Sequence, residues 1–378
     1  MTPPGATRAD PMPAGLAAAE ADADSLTLTF ADGRQRRLPF LWLRDHCACA
    51  DCLHPETAQR LVDTFSLPAD LAPEAIEADA EGLSVRWNDG HRSRHPYRHL
   101  AEALATPAEP ALHLWRGDEL AGGGPSVAYE AVMADDAGVA DWLEAIHRDG
   151  FCFVEDVPPT AEDTEALARR IAYVRETIFG GFWVFSANMA HADTAYTTGT
   201  IGPHTDGTYV EDAPGLQLFH CLEFEGEGGE SLLIDGFRVA ADLKREDPEA
   251  YALLSRVEVP GQYLEAGVHL RAERPILRHD SAGRLVQVSF NNHDRAPFLL
   301  PEPEMSAFYR ALGAFWRRLD EPGYQLRTHL DPGRALIFDN WRVLHGRLAY
   351  RGRRTLCGCY LNHEDFDSRR RVLAGRAA

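Results

Sequence analysis

Polar and apolar residues alternate through "SLTLTF" from Ser25, and "ADG" then supplies a turn, the pattern of a strand entering a hairpin. "GLSVRWNDGHRS" repeats it, with Asn88, Asp89 and Gly90 at the turn. Residues 25–108 therefore read as a small β-rich domain. Stretches rich in Pro, Ala and Gly follow, "ATPAEPA" and "AGGGPS", and predict a linker over 109–126. Beyond it the period changes. Val139, Trp142, Leu143 and Ile146 recur at helical spacing, and Gly150 can end that helix. Leu167, Ile171 and Val174 mark a second helix, and Phe308, Leu312, Phe315 and Leu319 a third. Between them lie short apolar runs bounded by turn residues: "FCFVEDV", "LQLFHCLEF", "SLLIDGF", "LVQVSF", "ALIFDN" and "LCGCYL". These are not spaced as alternating βα units. The pattern predicts an α+β domain over 127–378, a β-barrel or double-sheet core with flanking helices.

Composition narrows the partners. With 378 residues, 45% of them hydrophobic, the chain can bury a large core. A net charge of −20 argues against nucleic acid and anionic membrane, which both require basic surface, and is compatible with a small cationic substrate. No apolar run approaches the roughly 18 residues of a membrane span. Residues 1–24 lack the basic and apolar regions of a signal peptide and read as a disordered tail rich in Ala, Pro and Asp. The seven cysteines, odd in number and clustered, suit a reducing cytoplasm and a metal site better than a disulfide framework.

Candidate chemistry begins at "IGPHTDGTYV". His204 and Asp206 stand two apart, so in a strand they share a face, as a hydrogen-bonded pair or as two legs of a metal site. His345, in "IFDNWRVLHGR", is the candidate third ligand, and two histidines with one carboxylate make the open facial triad of non-haem iron oxygenases. Taken singly, each histidine also has an ordinary reading as a core or surface residue. The basic run "HGRLAYRGRR" changes the picture. An enzyme using a 2-oxo diacid must hold a distal carboxylate in an apolar barrel, and Arg354, leading into "TLCGCYL", can supply the guanidinium. Arg347, Arg351 and Arg353 are expected in solvent. In "HCACADCLH", Cys47, Cys49 and Cys52, with His91 as fourth candidate, match a closed zinc site; a redox-active cysteine cluster is the alternative, and His46 and His54 flank it. Cys152, Cys221, Cys357 and Cys359 read as core.

With these motifs in hand, the sequence resembles the Fe(II)/2-oxoglutarate-dependent oxygenases, in the branch of trimethyllysine and γ-butyrobetaine dioxygenases. The resemblance runs from about residue 38 to 370 and is carried by "LRDHCACADC", "DTAYTTGTIGPHTDGTY", "LFHCLEFEGEGGESLLIDGF", "FNNHDRA" and "FDNWRVLHGR...RRTLCGCYL". It implies a double-stranded β-helix (jelly-roll) core, Fe(II) on His204, Asp206 and His345, and 2-oxoglutarate held by Arg354 and Ser231. Structural Zn(II), ascorbate as an accessory reductant and a homodimer are further implications. The family's cage for a trimethylammonium group falls on Phe179, Trp183, Tyr196 and Tyr360, with Phe179 where relatives carry tyrosine. Asp193 stands where butyrobetaine enzymes carry Asn and is expected to receive the α-ammonium of trimethyllysine; the complete cysteine trio is more typical of the butyrobetaine branch. The expected activity is hydroxylation of N6-trimethyllysine to 3-hydroxy-trimethyllysine, in carnitine-pathway chemistry. Hydroxylation of γ-butyrobetaine to carnitine stays open, as do a sulfonate or halo-acid oxygenase and a catalytically silent barrel that only binds.

Overall fold

The computed structural model describes residues 16–31, 33–97, 99–100, 112–120, 123–186 and 197–375. The chain divides into two compact units, residues 1–110 and 111–378. In the first, strands Leu16–Ala21, Ser25–Phe30 and Gln35–Pro39 form one antiparallel sheet, and Pro73–Ala78, Gly82–Trp87 and Arg92–Pro96 another. Alternation places Leu26, Leu28, Leu83, Val85 and Trp87 in one shared core. Residues 1–24 were expected as a disordered tail, yet Leu16–Ala21 is a strand paired with Ser25–Phe30. Its alanines offer little apolar surface to a sequence pattern, but their backbone groups fill the ladder beside Ser25–Phe30.

The second unit has two main sheets, besides two two-stranded ones, Glu258–Glu265 with Val268–Pro275 and Leu277–His279 with Leu285–Val288. The larger runs Ser126–Ala128, Phe151–Glu155, Arg334–Asp339, Leu216–Gly228, Tyr350–Leu361, Trp183–Ser186; the smaller runs Ile201–His204, Val343–Arg347, Ser231–Asp235, Leu326–Thr328. Side-chain alternation explains the layers. Phe151, Phe153, Leu336 and Phe338 meet Leu233 and Val343 in an inner cluster between the sheets. Cys152, Val154, Ala335 and Ile337 turn outward beneath Val139, Trp142 and Leu143 of helix Asp136–Asp149. On the outer side of the smaller sheet, Ile234 and Leu344 pack against helices Gly236–Glu246, Pro248–Arg256 and Glu304–Asp320. Both faces of the central strands are thus buried, which is why their sequences read as unbroken apolar runs.

Helix Asp136–Asp149 is capped by the Asp135 carboxylate and ends at Gly150, whose φ of 81° suits glycine. The second expected helix stops sooner: it spans Ala161–Arg169, and Ile171 and Val174 join the outer cluster from non-helical chain. The linker expectation is also corrected. Trp115 is buried, its indole N–H donating to Asp149 O (2.7 Å) and its backbone N–H to the Asp235 carboxylate (3.2 Å), so this part of 109–126 belongs to the second unit. No helix among the described residues is long and apolar enough to cross a membrane.

Candidate active site

Strand pairing makes the site. In the smaller sheet Ile201–His204 lies antiparallel to Val343–Arg347 with His204 directly opposite His345. Asp206 follows two residues on, its backbone clamped by Asn340: the Asp206 N–H donates to Asn340 Oδ1 (2.8 Å), and Asn340 Nδ2 donates to Asp206 O (3.0 Å). His204 Nε2 lies 3.3 Å from Asp206 Oδ1 and His345 Nε2 lies 3.7 Å from Oδ2. The three ligating atoms fall within 4.8 Å of one another, close enough for one ion to touch all three. Burial pushes the Asp206 carboxyl up, but His345, His204 and the Tyr360 hydroxyl, which donates to Oδ2 at 2.8 Å, hold it well below the usual carboxylate range. Burial, joined by the neighbouring His204, pushes His345 down to about 3. The set offers a carboxylate and a neutral imidazole lone pair, and His345 Nδ1 has no partner among the described residues. Such donors suit Fe(II).

The triad lines a cavity of about 150 Å³. Arg354 and Ser231 line it too. Arg354 is buried, and burial lowers its guanidinium below its ordinary value. Arg351 and Arg353 are exposed as expected, but Arg347 is not: it is 8% exposed, lines the cavity, and donates through Nη2 to Thr197 O and Gly199 O, both at 2.7 Å. Burial and the charge on Arg354 push it down to about 10. Its strand directs the side chain inward, which a count of charges along "HGRLAYRGRR" does not reveal. Among the described residues no carboxylate pairs with either guanidinium, so this wall is built for an anion.

Of the expected cage, Phe179, Trp183 and Tyr360 line the same cavity. The Trp183 ring stands 6.0 Å from that of Tyr360, and Gly358 makes this packing possible, since a Cβ there would run into the indole. Asp193 and Tyr196 lie outside the described residues. Sequence reasoning passed over Tyr209, Gln217 and Asp294, which also line the cavity. Gln217 carried a signal, a carboxamide in the apolar strand "LQLFHC"; its Oε1 is buried without a partner among the described residues.

In the first unit Cys47, Cys49, Cys52 and His91 converge, with the sulfurs 3.4, 3.7 and 3.6 Å from His91 Nε2. A tetrahedral zinc with bonds of about 2.0–2.3 Å has edges of roughly 3.3–3.8 Å, which these separations match. Burial pushes the Cys47 thiol up to about 12, a strain that a bound cation would remove. His46 and His54 are not among the grouped ligands.

A jelly-roll with an HxD pair, a distal histidine and a buried arginine on one cavity defines an Fe(II)/2-oxoglutarate-dependent dioxygenase. Residues 111–360 match the model of the taurine catabolism dioxygenase TauD, TfdA family, and residues 18–101 that of the gamma-butyrobetaine hydroxylase-like N-terminal domain. The chain belongs to the TauD/TfdA family of dioxygenases, with a gamma-butyrobetaine hydroxylase-like N-terminal domain. It is 38% identical to a mitochondrial trimethyllysine dioxygenase of Gallus gallus over 94% of this chain and 87% of that protein. It is 34% identical to a gamma-butyrobetaine dioxygenase of Pseudomonas sp. (strain AK-1), over 97% and 98%. Among solved structures, a taurine dioxygenase from Burkholderia xenovorans superposes with a TM-score of 0.50 at 17% identity, covering 67% of this chain and 91% of that one. The family implies Fe(II) and 2-oxoglutarate.

Proposed function

We propose that this protein hydroxylates N6-trimethyllysine to 3-hydroxy-trimethyllysine. The observation that carries the reading is one cavity shared by the triad, Arg354 and the rings Phe179, Trp183 and Tyr360. Iron(II) with 2-oxoglutarate supplies the oxidising chemistry, O2-dependent decarboxylation coupled to hydroxylation of an unactivated C–H bond. His204, Asp206 and His345 hold the metal, and the Tyr360 hydroxyl fixes the orientation of the Asp206 carboxylate. Arg354 takes the distal carboxylate of the co-substrate, with the Ser231 hydroxyl beside it. A trimethylammonium group donates no hydrogen bond, so aromatic faces are its natural receptor. The apolar lining excludes water around the reacting carbon.

Similarity supports trimethyllysine over butyrobetaine, 38% against 34% identity over most of the chain. The cysteine trio favours butyrobetaine as the second reading. A panel of trimethyllysine, butyrobetaine, lysine and taurine, followed by succinate formation on iron-loaded protein, separates them. Trimethyllysine is expected to give the highest kcat/KM, and Trp183→Leu to lower it for both trimethylated substrates, by about three- to thirtyfold on the scale of cation–π contacts. Turnover of butyrobetaine alone would transfer the assignment to the second reading. Succinate formation from none of the panel, with iron and 2-oxoglutarate bound, would favour the silent barrel.

Zinc in the cysteine site is part of the same reading. About one equivalent per chain is expected by metal analysis, independent of iron, and Cys49→Ser should lower the unfolding temperature of the first unit, because a structural zinc contributes folding free energy. Protein purified under reducing conditions without zinc would sink this. All seven cysteines are free, which supports a reducing compartment, the cytoplasm or, as in the chicken relative's name, the mitochondrion. A homodimer belongs to the proposal as well and is read by light scattering.

A further inference from the structure

Arg347 and Arg354 make one wall of the cavity cationic. Two carboxylates, Asp206 and Asp294, are the acids among its described lining residues. Asp206 is already engaged by both imidazoles and the Tyr360 hydroxyl. Asp294 has no part in the chemistry described above, and its placement is closely determined. It sits in the segment "SFNNHDRA" after strand Leu285–Val288. Thr205, the residue between His204 and Asp206, ties that segment down twice: its N–H donates to Phe290 O (2.7 Å), and its Oγ1 accepts the Phe290 N–H (2.9 Å). From the other side, the Gln262 N–H donates to Asp294 O (2.7 Å) and the Ala296 N–H to Pro260 O (2.8 Å). Asn291 Nδ2 donates to Asp294 Oδ2 (2.7 Å) and orients the carboxylate. The segment that carries the acid is therefore latched to the same stretch of backbone as His204 and Asp206.

We infer that Asp294, and not Asp193, on which the sequence placed the role and which lies outside the described residues, is the receptor for the α-ammonium of the amino-acid substrate and sets the preference for substrates that carry one. The inference rests on the trimethyllysine reading. In that substrate the ammonium is on C2, next to the carbon that is hydroxylated, so its receptor must lie beside the triad and not at the far end of the cavity. An ammonium brings three donors into a water-poor space and requires an acceptor of opposite charge. A trimethylammonium group has no such donors and is served by rings. Asp294 supplies the acceptor in the required place, opposite in sign to the arginine wall that takes the co-substrate.

The test compares N6-trimethyllysine with 6-(trimethylammonio)hexanoate, the same chain without the α-ammonium. In wild-type protein trimethyllysine should be preferred by about ten- to hundredfold in kcat/KM, the worth of one charge-assisted contact. Asp294→Asn should collapse that ratio toward one, and Asp294→Glu should restore part of it. Equal kcat/KM for the two compounds in the wild type overturns the inference without any variant. So does an Asp294→Asn protein that keeps the wild-type ratio, whether its rates fall together or not. The function reading fails separately: wild-type protein that turns over butyrobetaine and neither of the longer compounds rejects the substrate class, and the role of Asp294 with it.

Discussion

Alanine at His204, Asp206 or His345, one position at a time, is expected to abolish both succinate formation and iron retention. Three donors on one side of the metal are the minimum that leaves the other side open for co-substrate and oxygen, and removing one leaves a two-point site with weak affinity. Changes to residues that merely support a metal ligand cost about 10- to 100-fold in affinity or activity, so loss of a ligand itself should exceed that. The fold should survive. The main hydrophobic clusters are built from other residues, and none of the three side chains belongs to them. Succinate by NMR and iron content of the purified variants decide the matter. Near wild-type succinate from any one of them removes that residue from the set.

Arg354→Met is expected to raise the KM for 2-oxoglutarate steeply while iron content holds. Removing one partner from a buried charge pair costs on the order of 3–5 kcal/mol, because the other charge is left in a poor solvent. That corresponds to between about a hundredfold and a few thousandfold in affinity. Ser231 remains, but one hydroxyl cannot replace a two-pronged guanidinium. An unchanged KM would hand the role to Arg347, the second buried guanidinium on the cavity, since Arg351 and Arg353 face solvent.

What the sequence makes legible follows from how local each signal is. His204 and Asp206 are readable because a period of two puts them on one side of an extended stretch. Cys47, Cys49, Cys52 and His91 are readable because thiols so close have few other uses. The central strands of the second unit are readable because alternation between an inner and an outer core leaves few polar positions, such as Gln217 and His220, to blur them. Arg347 and Arg354 differ from Arg351 and Arg353 only in which side of their strands faces the cavity, and a run of basic residues carries no record of that. Asp294, within "FNNHDRA", has no legible role in the sequence, because its placement depends on hydrogen bonds from its segment (Phe290, Asp294 and Ala296) to Thr205, Gln262 and Pro260, far away along the chain. Leu16–Ala21 pairs mainly through its backbone, with Ala19 alone of its alanines packed on the core, and no side-chain pattern announces it.

The pairing of Ile201–His204 with Val343–Arg347 also bears on the order of events during folding. A slip of one residue in that ladder would turn His345 to the opposite face of the sheet, away from His204 and Asp206. Contacts between segments so far apart in the chain close late and slowly, after loop entropy has been overcome. An ion held by all three side chains can only be captured once this pairing is in register. Metal uptake during refolding thus reports that this long-range pairing has formed in register, and a chain that has secondary structure but no correct strand alignment here stays metal-free.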